Sequence, residues 1–172
     1  MIRNFLTFSL IFLTVTLFAQ TQKVSELEKR NGFKDIKLGL VADSVKGLKF
    51  KKDFKEREEF DAKLYEVENE VYAKIGEVEV EGIEIKTYKN LIYQIHVVTD
   101  KDTRLMKALE SIYGKADYDI KRETYFWKGE TLILKFRSYS KSKLEMIYTS
   151  YSVLNMMKDD KGKKVQDIAD DF

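Results

Sequence analysis

"VEVEGIEIKTYKNLIYQIHVVT", residues 78–99, carries the strongest periodic signal in the chain. Val78, Val80, Ile83 and Ile85 alternate with polar residues, the period of a strand with one dry face and one wet face. Gly82 breaks the alternation between the two pairs, which predicts a bulge that shifts the phase. Lys89-Asn90 predicts the turn, and Leu91, Tyr93, Ile95 and Val97 are expected on one face of the returning strand. The stretch reads as a β-hairpin.

The next stretch, "DKDTRLMKALESIYGK" (100–115), changes period. Leu105, Ala108, Leu109, Ile112 and Tyr113 form one helical stripe. Asp102 or Thr103 can cap the first-turn amides, and Gly114 can take the left-handed conformation that ends a helix. Three more strands are expected: "ETYFW" (123–127), "TLILKF" (131–136) and "LEMIYTSYSVL" (144–154). Val165, Ile168, Ala169 and Phe172 recur at helical spacing, which predicts a terminal docking helix.

Upstream, residues 20–32 are polar, with a short frayed helix expected at 24–30. Phe33, Ile36 and Leu38 read as an extended piece. Val41, Val45 and Leu48 predict a short amphipathic helix closed near Gly47. Residues 49–63 read as two short strands or a strand and a loop, their charge run marking a solvated face. "KLYEVEN" (63–69) is strand-like. Adjacent strands separated by single helices indicate an α+β fold. The expectation is one domain over residues 33–172, a mostly antiparallel sheet with two or three helices packed on one face.

The amino end sets the expected compartment. Arg3 precedes an uncharged run from Phe5 to Phe18, shorter than the ~20 residues of a membrane-spanning helix. This is the pattern of a secretory signal peptide, residues 1–19, with cleavage between Ala19 and Gln20. An uncleaved anchor is the alternative. With no Cys in the chain, lipidation, disulfides and thiolate metal sites are impossible. The expectation is a periplasmic or secreted protein without a membrane anchor after cleavage.

Thirty-one basic and 29 acidic residues nearly cancel. A nucleic-acid binder would show a clustered excess of base, so none is expected as a partner. The absence of Pro removes the slow isomerisation phase from refolding.

Four stretches together resemble a group of small exported bacterial proteins: "GFKDIKLGLVADSVKGL" (32–48), "YKNLIYQIHVVT" (88–99), "LESIYGKADYD" (109–119) and "YFWKGETLILKF" (125–136). That group opens with Gly-Phe-x-x-Ile-x-Trp-Gly and ends a helix in Tyr-Gly-Lys-Pro. Here Leu38 stands for its Trp and Ala116 for its Pro. The layout is also similar to the outer-membrane assembly lipoprotein and β-lactamase-inhibitor type of fold. That resemblance implies binding to other proteins.

Chemistry is sparse. Nucleophilic catalysis needs an activated Ser, Thr or Cys beside a base. The chain has one His, His96, read as a strand residue. No metal or cofactor is expected. Glu123 and Glu145 are one pair that neighbouring strands could bring together for carboxylate hydrolysis. The basic tip "RSYSKSK" (137–143) holds Tyr139, while Tyr125 and Trp127 share one strand face. These three aromatics are the candidate recognition face, with core packing as the alternative. The expected function is therefore a non-catalytic exported binding or adaptor module for a protein or envelope component. The alternative is a periplasmic hydrolase acting on a cell-wall or polysaccharide substrate through paired carboxylates.

Overall fold

The computed structural model describes residues 26–171. Ala19, Gln20 and the rest of the expected signal lie outside the described residues.

The hairpin that opened the reading is β6 (Val78–Tyr88) and β7 (Leu91–Asp100). Lys89 and Asn90 both have positive φ, 48° and 65°, the turn geometry whose twist matches the flanking strands. The register shifts between Val80 and Gly82, and again beside Lys86 and Thr87. The second shift leaves Tyr93 out of the pairing. Tyr93 consequently packs in a different cluster from Ile95 and Val97, which corrects the expectation that these residues share a face.

Residues 32–67 begin with a two-strand hairpin, β1 (Gly32–Phe33) and β2 (Ile36–Lys37). Gly32 has φ 143°, and an added Cβ would sit 2.2 Å from the carbonyl oxygen of Ile36. Only glycine fits there. The helix expected over 41–48 is a single 3-10 turn at Ala42–Ser44. Val41 bridges to Leu91, and both flanks of the turn are extended, so the chain is held open before a helix can propagate. Then β3 (Leu48–Glu56) and β4 (Phe60–Val67) pair as a hairpin. The charged face of β3 is exposed, as its sequence suggests. A short β5 (Lys74–Ile75) pairs with β6.

After β7 comes α1 (Thr103–Tyr113). Asp102 caps it, its carboxylate accepting from the Arg104 amide at 2.7 Å. Gly114, φ 86°, ends it. The helix carries the chain to the far sheet edge, where β8 (Asp117–Asp119), β9 (Thr124–Lys128), β10 (Leu132–Ser138) and β11 (Lys143–Ser150) follow. The order is β3-β4-β6-β7-β11-β10-β9-β8, every pair antiparallel.

The expected last strand is shorter than its apolar pattern. It ends at Ser150, whose side chain caps α2 (Tyr151–Ala169). The last pair of β10 with β11 is Leu132 with Ser150; one further backbone bond, from the Tyr151 amide to the Thr131 carbonyl at 2.7 Å, closes the pairing as the chain turns helical.

The α+β class and the antiparallel sheet hold, but α1 and α2 do not share a face. Leu105, Leu109 and Tyr113 of α1 join the larger cluster with Phe33, Ile85, Ile95, Val97, Leu134 and Tyr148. Val153 and Met157 of α2 join a separate cluster with Phe60, Ala62, Tyr88 and Tyr93. The register puts Ala62 opposite Tyr88, an odd number of positions from the Tyr65–Ile85 pair, hence on the other side of the sheet. The second half of α2 does not dock as expected, because Val165 and Ile168 are exposed.

Candidate functional site

The second face of the sheet holds a cleft beside α2. Met157 anchors the first turns of α2. Beyond it, Asp160 accepts from the Tyr88 hydroxyl at 2.9 Å and pairs with Lys89 at 2.6 Å. Lys161 pairs with Glu59 at 3.0 Å. These polar straps tie the helix to two hairpin ends while leaving a cleft of about 720 Å³, inside the 300–1,000 Å³ typical of ligand sites. Phe54, Phe60, Ala62 and Tyr88 line it with apolar surface, and Asp53, Asp61, Lys63 and Lys164 bring charge of both signs.

The charges are fixed. Lys89, then Tyr88, hold the Asp160 carboxyl below the ordinary carboxylate range. Lys55, 2.6 Å away, does the same to Asp61. Burial first, and the bond to Asp160 second, push Tyr88 up to about 12. The shifts keep Asp61 and Asp160 ionised and the Tyr88 phenol neutral, which suits binding. A carboxyl acting as general acid needs the opposite shift.

Farther along the same face is a polar network. His96 Nε2 and Glu145 Oε2 are 2.7 Å apart, and the other Glu145 oxygen accepts from Arg137 Nε. Glu84 lies 3.9 Å from His96 Nδ1. The ring of Tyr139 stands edge-on to His96 at 5.9 Å. Glu145 is buried, and two charged or polar partners satisfy it, as a buried carboxylate requires. A hollow of about 220 Å³ adjoins, lined among the described residues by Glu66, Glu81, His96 and Tyr139 but by no Ser or Thr hydroxyl. The network ties four adjacent strands together, β6, β7, β11 and β10.

The structure separates the three aromatics of the expected recognition face. Trp127 is a core residue, 5% exposed, its indole edge-on to Tyr113. Tyr125 does share its strand side, but it is 40% exposed and stacks on Tyr118 at 4.6 Å. Tyr139 lies beside His96 on the other face. Glu123 and Glu145 do not meet: Glu123 precedes β9, which pairs with β10 and β8 rather than β11.

The cleft under α2 was not legible beforehand. Phe54 and Phe60 lie within the ambiguous 49–63 stretch, and Val153 and Met157 at i, i+4 were the one local hint. Among the described residues, no group of three or more His, Asp or Glu could hold a metal ion, and no helix is long and apolar enough to cross a membrane. No family model, curated protein or solved structure matches this chain.

Proposed function

We propose that the protein is an exported, non-catalytic binding module that takes a polypeptide segment of a protein or envelope partner in the cleft under α2. The observation that carries this reading is the cleft itself: an aromatic lining beneath a rim of fixed charges of both signs. Aromatic anchors in a desolvated pocket supply most of the energy of protein recognition. Mixed charge at the rim matches a polypeptide, which also carries both signs, and sets specificity. The exposed Val165 and Ile168 of α2 extend the apolar surface available to such a partner. Export rests on the amino-terminal pattern of Arg3, the Phe5–Phe18 run and Ala19.

The hydrolase alternative asks for two acids in a cleft, and Asp53, Asp61 and Asp160 do line this one. The downward shifts of Asp61 and Asp160 favour binding over proton donation. A photo-crosslinking residue at Asp53 or Lys164, with one at Lys121 on the far edge as control, tests the proposal in the native host. Polypeptide adducts from the two cleft positions, and none from the control, are expected. No adduct, or equal adducts from all three, would overturn it.

A further inference from the structure

A second, smaller cleft lies on the opposite face, between the β1–β2 hairpin and α1, with a volume of about 240 Å³. Its walls are Phe33, Leu105, Leu109, Ile112 and Met146. Its charge is one-sided. Arg30, Lys34 and Lys37 line it, and no Asp or Glu does among the described residues. The rim of the α2 cleft, by contrast, alternates signs.

The two lysines are positioned without being neutralised. Lys34 Nζ donates to the carbonyls of Val71 and Lys74, and Lys37 Nζ donates to those of Arg30 and Lys34. Neither has a carboxylate partner among the described residues. Each ammonium carries three donors, so each keeps one. Arg30 is held through Nε by Glu26 at 3.5 Å, leaving its terminal nitrogens free of that contact. Tyr113 and Tyr148 complete the lining, and neither hydroxyl has a hydrogen-bond partner among the described residues. Burial pushes both phenols up, against the opposing Arg30 charge, and Glu26 adds to the upward push on Tyr113, so they stay protonated donors.

We infer that this cleft binds a small amphipathic anion, a carboxylate on a short apolar chain or ring, with the chain against α1 and the carboxylate toward Arg30, Lys34 and Lys37. Charge complementarity selects the anion: Arg30, Lys34 and Lys37 line an apolar slot that no acid lines among the described residues, and the one acid beside it, Glu26, meets Arg30 only through Nε. The volume, below that of drug-sized sites, limits the apolar part. The inference does not depend on the α2 cleft or its partner.

Trp127 is the sole tryptophan and touches Tyr113, so its emission reports on the cleft. Titration with octanoate is expected to give a saturable change, and octanamide, the same chain uncharged, at least a tenfold weaker one. Arg30→Glu, at an exposed position, and Lys37→Glu, at a half-buried one, should each weaken octanoate at least tenfold. Their unchanged near-UV dichroism would show that the fold persists. Equal response to octanoate and octanamide would mean unspecific apolar adsorption and overturn the inference. So would octanoate binding that is insensitive to both reversals, abolished instead by Lys164→Glu, or absent.

Discussion

The indole nitrogen of Trp127 donates to the carbonyl oxygen of Gly114 at 2.8 Å, joining the end of α1 to β9. Gly114 can leave its carbonyl available because its φ of 86° ends the helix there. The bond satisfies the indole N–H inside the core, where Trp127, one of the three aromatics expected on a recognition face, lies.

Trp127→Ala is expected to cost about 3–5 kcal/mol, enough to unfold a marginal domain. Tyr125→Ala loses a half-exposed ring and its stacking on Tyr118, about 0.5–1.5 kcal/mol. Urea denaturation of the two variants should separate them clearly. Similar losses would refute the burial assignment.

Glu145→Gln keeps shape and removes charge. Arg137 and His96 would then face a neutral amide, at an expected loss of about 1–3 kcal/mol. His96→Gln combined with Glu145→Gln should lose less than the sum, because the residues share one network. A double-mutant cycle by chemical denaturation reads this directly. Strict additivity would show the network to be ornamental.

The pH dependence has two limbs. Asp160 titrates below its ordinary value in the folded chain. Its contribution is therefore present above the unfolded pKa near 4 and is lost as pH falls through the lowered folded value. Tyr72 and Tyr88 move the other way, both up to about 12. Their contribution is present below the unfolded pKa near 10 and is lost as pH rises through about 12. Asp160→Asn should flatten the acid limb and Tyr88→Phe should reduce the alkaline one, in thermal melts from pH 2 to 12. An unchanged acid limb in Asp160→Asn would contradict the strap holding α2.

Helix α2 should divide sharply into two halves. Met157→Ala opens a hole in the second cluster and should cost about 2–4 kcal/mol. Ile168→Asp, on the exposed half, should change stability by no more than ~0.5 kcal/mol. If both cost the same, the second half of α2 is docked.

The parts of the fold legible in the sequence are those with local causes. Lys89-Asn90, Gly82, Asp102 and Gly114 each act within a few residues, and each sits where the pattern places it. The α2 boundary was not legible, because Tyr151–Leu154 continues the apolar run of β11 and only the end of the β10 ladder stops it. The placement of α2 on its own face was hidden for the same reason. The clefts were hidden because their walls converge from distant segments: Phe54 and Lys164 in one, Lys37 and Met146 in the other. The Tyr125–Trp127 alternation was readable, but which end of that face reaches water depends on how far α1 extends over it.

The last strand made, β11, is also a central one, inserted between β7 and β10. During synthesis on the ribosome, the first half of the sheet therefore waits with a ten-residue Ile/Val-rich edge bare until residues 143–150 emerge. Chains truncated before that point carry an adhesive border of the kind that drives aggregation.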